Sequence, residues 1–175
     1  MPIAKQIHLK DVPGIRGLEV TVEAPDFGIT LKLINSTEQP YRVALTGAVL
    51  QPENNDYQRL LVTGTEARVD HVFLPSMKTG HCVFLPPNGE AEAILETTCM
   101  DEALAPPDGN DYEVGREMAP DRLAVAARAF CTTVSMGKAS PVKVTRDMVQ
   151  SACWDKESEE DEKVLDEAVA SGNFN

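Results

Sequence analysis

Apolar and polar positions alternate with a period of two through the first part of the chain, and recur three or four apart through the last part. Leu18-Glu19-Val20-Thr21-Val22-Glu23 is the cleanest alternating run, and on a strand such alternation sends one set of side chains to each face. Ile29, Leu31 and Leu33 continue the pattern with Thr30 and Lys32 between them, and Tyr41, Val43 and Leu45 resume it after the turn-forming segment Asn35 to Pro40. Ile3 to Leu9, Leu60 to Thr63 and Val69 to Leu74 are further strand candidates. From His81 to Thr98 two extended apolar runs flank Pro86-Pro87-Asn88-Gly89. Asn-Gly accepts the positive φ of a tight turn, so this stretch predicts a hairpin.

The stretch 99–119 reads as a long ordered loop or crossover carrying Pro106-Pro107-Asp108-Gly109-Asn110, and beyond it the period changes. Leu123, Ala127, Phe130 and Val134 predict an amphipathic helix from Asp121, with Gly137 just past its end. Thr145 is placed to cap a second helix with Met148, Val149, Ala152 and Cys153 on its apolar side, and Trp154 is expected to bury its ring there. Ser158-Glu159-Glu160-Asp161 has the form of a capping box with Asp in place of Glu, opening a third helix that ends before Gly172. Turn residues recur at roughly the 8–12-residue spacing of an antiparallel sandwich or barrel. Strands first and helices afterwards predict a mainly β chain in one domain. The expected form is an antiparallel β-sandwich of the immunoglobulin or fibronectin kind over about residues 1–98, followed by a loop and a layer of about three helices over 99–175.

Charge narrows the partners. The 175 residues hold 28 acidic and 16 basic side chains, a formal charge of −12. That balance argues against binding nucleic-acid phosphates, which needs Lys/Arg clusters, and against anionic membrane surfaces. It leaves a cation or a basic partner open. No run approaches the apolar length of a membrane span, so no insertion is expected. The first residues lack the apolar core of a signal peptide, which makes the cytoplasm the default location.

Candidate chemistry is sparse. Cys82, Cys99, Cys131 and Cys153 are widely spaced with no Cys-x-x-Cys pair, which speaks for thiols rather than a zinc ribbon or a thioredoxin-type motif. His71 and His81 would face one another across a hairpin with Cys82 adjacent, a partial zinc set. Cys82 and His81 point to opposite faces of a strand, however, which favours strand-filling roles. Asp101 and Asp108, in the loop, leave calcium as the cofactor to consider, though the acidic run from Asp155 to Glu162 lacks the central Gly of an EF-hand. No nucleophile elbow, phosphate-cradling loop or dinucleotide fingerprint occurs.

The string Val149-Gln150-Ser151-Ala152-Cys153-Trp154 resembles the Gln-x-Ala-x-Trp helix of bacterial surface β-sandwich domains. Pro86 to Pro107 is similar to their succession of Pro-rich turn, strand, Cys-x-Asp and loop, and Gly47 to Thr63 to their middle strands. In the thioester-forming branch of those domains a Cys and the motif Gln join in an internal thioester that captures host nucleophiles. The resemblance implies that Cys99 accepts the acyl group and Gln150 donates it, and it suggests a surface or assembly-associated location. Val149 stands where that branch has Thr. Read from its own residues, the chain is expected to be a non-catalytic protein working by contact, through self-assembly or docking on another protein. Its first strand, Ile3 to Leu9, either closes its own sheet or is donated to a neighbour. A thioester-type adhesin and an ion- or carbohydrate-binding module are the alternatives.

Overall fold

The computed structural model describes residues 3–24, 29–69, 72–73, 81–105 and 111–174. Among these residues ten strands and three α-helices follow one another: β1 (Lys5–His8), β2 (Leu18–Glu23), β3 (Ile29–Asn35), β4 (Tyr41–Ala44), β5 (Ala48–Pro52), β6 (Leu60–Val69), β7 (Val72–Phe73), β8 (Cys82–Leu85), β9 (Gly89–Cys99), β10 (Asp111–Met118), α1 (Asp121–Met136), α2 (Arg146–Cys153) and α3 (Glu159–Ser171). A short 3₁₀ helix, Leu9–Gly14, separates β1 from β2.

The sheet is closed, and the expected sandwich is therefore wrong. Strands run in the order β5-β10-β2-β3-β9-β6, all antiparallel, and β5 pairs with β6 to complete a six-stranded barrel. Two features bring the ends together. The segment expected as loop contains β10, which bonds β5 on one side and β2 on the other. The long β6 carries an irregularity between Val62 and Gly64; such bulges bend a strand and raise its twist, and just before it Leu60 and Leu61 bond β9 on one edge and β5 on the other. A second sheet, β1-β4-β8, lies against the barrel, with β1 parallel to β4. Thus β1 closes on its own chain.

The expected hairpin at Pro86 to Gly89 is also corrected. β8 pairs with β4 in the small sheet, while β9 pairs with β3 and β6 in the barrel. Asn88 does take a positive φ of 50°, but the turn moves the chain between sheets. Buried Asn35 holds that corner. Its amide donates to the carbonyls of Gln39 and Pro86, and its side-chain oxygen accepts from the N–H and hydroxyl of Thr37.

Two apolar clusters follow from the register. Leu31, Leu33, Leu50, Leu60 and Val62 fill the barrel together with Val43, Val83 and Leu85 of the small sheet. Val49 and Leu61 face outward and meet Ala126, Ala127, Ala129 and Phe130 of α1, Val149 of α2 and Leu165 of α3. The three helices appear where their periodicity predicts. Thr145 and Ser158 cap α2 and α3 by accepting from the N–H groups of Met148 and Asp161. No helix among the described residues is long and apolar enough to cross a membrane.

Candidate functional site

The end of β9 is where the candidate residues meet. Gln150, on α2, reaches Cys99, 51 positions away, and pairs with its main chain at two points. The Gln150 Oε1 accepts from the Cys99 N–H at 3.0 Å and its Nε2 donates to the Cys99 carbonyl. A carboxamide has the donor and acceptor of a peptide side by side, so it can stand in for a strand partner. It does so here because β3 has no partner for β9 beyond the pair Ile29 with Leu95 among the described residues.

The other edge of the same segment is held by Arg59. Its N–H, Nε and Nη2 donate to the Asp101 carboxylate at 2.9, 3.0 and 2.8 Å, and its carbonyl accepts from Met100. The guanidinium fork holds the Asp101 carboxyl below its usual range, and Asp101 in turn raises Arg59. Arg146 of α2 donates to the Thr97 carbonyl at 2.9 Å, and Thr98 Oγ1 lies 3.6 Å from Cys153 Sγ. The strand end is clamped from both sides.

Register tells where the thiols point. Residues directly opposite in an antiparallel ladder share a face. Cys99 lies opposite Leu60, a barrel-core residue, and Thr98 lies opposite Leu61, which faces the helices. Cys99 accordingly packs toward the barrel and Cys153 toward the helices. Burial pushes both thiols up; at Cys99 the Arg146 cation partly offsets it. No disulfide joins the four cysteines, and Cys131, the most buried, is pushed to about 11 by burial.

No family model, curated protein or solved structure matches this chain. The site must be read from its geometry.

The metal candidates do not assemble. His71 and Asp108 lie outside the described residues. His81 stands just ahead of β8, with its two ring nitrogens 3.3 Å from the hydroxyls of Thr46 and Thr132. Asp101 is at the clamp, both oxygens taken by Arg59. Among the described residues no three His, Cys, Asp or Glu groups converge as a cation site.

Two groups escaped sequence reasoning. Arg59 carries no motif, and its fork to Asp101 depends on β6 starting opposite the end of β9. His8 closes a three-way contact, its Nδ1 accepting from the Lys10 N–H and its Nε2 lying 3.3 Å from the Thr46 carbonyl. Trp154, expected in the core, caps α2 half-buried, with its Nε1 enclosed and lacking a partner among the described residues.

Proposed function

We propose that this chain acts by contact rather than by turnover, and that its working element is the Cys99–Gln150 junction, where an internal thioester forms and captures a nucleophile presented by a partner. One observation carries the reading: the carboxamide of Gln150 lies hydrogen-bonded on Cys99 across 51 positions of sequence, the two residues that the family resemblance singles out. The paired form is the uncyclised state. In closure the Cys99 sulfur bonds to the Gln150 carboxamide carbon, the bond from that carbon to Nε2 breaks, and the nitrogen leaves as ammonia with the thiol proton. A partner amine then attacks the same carbon; an amide forms, the sulfur leaves, and the amine proton returns to it as thiol.

Closure has a cost that the geometry makes plain. The thiol sits on the barrel face of β9 and the carboxamide lies along the strand's edge, so both hydrogen bonds must yield while the two side chains rotate. The raised Cys99 pKa works in the same direction, because the thiolate is the nucleophile. The test is intact mass of freshly prepared protein, followed by exposure to methylamine. The reading predicts a mass lower by one ammonia, a methylamine adduct, and neither in Cys99→Ser or Gln150→Ala. An unshifted mass with no adduct removes the thioester and leaves Gln150 as a strap tying α2 to the barrel.

A further inference from the structure

The barrel wall is thinly paired between β2 and β10. Among the described residues these strands pair only at Asp111 with Glu23 and Tyr112 with Val22. Continuing that register would set Val114 opposite Val20. No such pair forms among the described residues; on its other edge β10 pairs Val114 with Leu50 and shifts register before Met118 meets Ala48. The 3₁₀ helix contacts both parted strands, with Leu9 and Val12 fully buried. The rest of the gap is a groove of about 550 Å³.

Its floor is apolar. Val20 lies between the buried core positions Leu18 and Val22 yet is half-exposed, and Val114 likewise lines the groove half-exposed. Its rim is acidic, with Glu23, Glu53, Asp111 and Glu113 lining the groove beside Arg116, the one cation there among the described residues. None of the four carboxylates enters an ion pair among the described residues. Along Glu19–Thr21 and Glu113–Met118 no ladder joins the two strands among the described residues, so each presents an edge.

We propose that this groove docks an extended, basic segment of a partner protein as an added strand. Unpaired edges supply main-chain hydrogen bonds, the two valines receive small apolar side chains on one face, and the carboxylates select Lys or Arg on the other. Strand alternation makes both demands compatible, since successive side chains point to opposite faces. The site is separate from the Cys99–Gln150 junction and stands whether or not the thioester forms.

The probe is a labelled ten-residue peptide alternating Lys and Val, titrated by anisotropy against the full chain. A peptide alternating Glu and Val and a Lys-Val peptide with alternate N-methylated amides are the controls. Saturable binding should appear with the Lys-Val peptide alone and weaken with salt. The Glu23→Lys/Glu113→Lys variant should lose about tenfold in affinity or more. The exposed pair Glu38→Lys/Glu167→Lys, which makes the same change in net charge away from the groove, should lose less than about twofold. Equal losses in the two variants would mean that the peptide reads overall acidity, and would overturn the proposal. So would undiminished binding of the N-methylated peptide, which cannot add as a strand, or no saturable binding at all.

Discussion

Gln150 does for β9 what a neighbouring strand does elsewhere in the barrel. Replacing it with Leu leaves the Cys99 N–H and carbonyl without partners at a half-buried position, where each loss costs about 1–3 kcal/mol. Gln150→Leu should therefore lower the urea midpoint whether or not a thioester forms, and Cys99→Ser, which keeps both main-chain bonds, should lower it much less. Equal losses would show that the thiol, not the carboxamide pairing, holds the strand end. Asn35 offers the same logic with more bonds. It serves four polar groups at 1% exposure. Asn35→Leu should cost at least about 2 kcal/mol in the same measurement. Cys99 and Gln150 stood out in the sequence only through the strings of the resemblance; that the Gln150 carboxamide pairs with the Cys99 main chain follows from the fold. Arg59 did not stand out, since an arginine ahead of a strand has no period and no motif, and only the register of β6 on β9 gives it Asp101.

Among the elements, the 3₁₀ helix is the one whose removal should open the wall. Leu9 and Val12 are at 0% exposure between strands that have already parted. Leu9→Ala should cost about 2–5 kcal/mol, and amide exchange should quicken in β2 and β10 before it does in β3 and β9. Uniform loss of protection would mean that Leu9 supports the core without sealing the seam. The elements also show where periodicity informs and where it fails. β2 and β3 were legible because each alternates cleanly and one face is buried. α1 to α3 were legible because apolar spacing and capping residues agree, the local consistency that marks a well-specified helix. β10 was not. Its core-facing Tyr112 and Val114 sit among Asp111, Glu113, Arg116 and Glu117, and Gly115 and the register shift break the alternation. Losing that one strand turned a closed barrel into an open sandwich. The turn at Asn88 was identified correctly, but local turn chemistry does not say whether the flanking strands pair with each other. The choice was made at a distance, by β3 and β4, which take β9 and β8 into different sheets.

For the whole molecule, charge and burial pull stability in opposite directions as pH falls, and the histidines decide the sign near neutrality. Burial, the largest cause, lowers His8 and His81 below their ordinary 6.5, and the Arg128 cation on α1 adds to it for both. Around His8, Lys10 also lowers and Asp11 raises, and its hydrogen bond to the Thr46 carbonyl opposes the shift. Its Nδ1 accepts from the Lys10 N–H, so a proton there would remove the contact that starts the 3₁₀ helix. In the unfolded chain both rings protonate as pH drops through about 6.5, whereas in the folded chain they resist. The unfolded state then binds more protons, so stability is full above 6.5 and is lost as pH falls toward the folded values. Each histidine contributes at most about 1.4 kcal/mol per pH unit across that window. The opposing effect is relief of repulsion among the carboxylates behind the net charge of −12. It becomes strong only as ordinary carboxylates titrate, well below the histidine window. Urea midpoints should therefore fall between pH 7.5 and 5.5, and the fall should be shallower in His8→Gln/His81→Gln, compared by slope so that a uniform loss of stability in the variant does not matter. Midpoints that rise on acidification, or identical slopes in the two proteins, would mean that surface repulsion rather than these two half-buried rings governs stability near neutral pH.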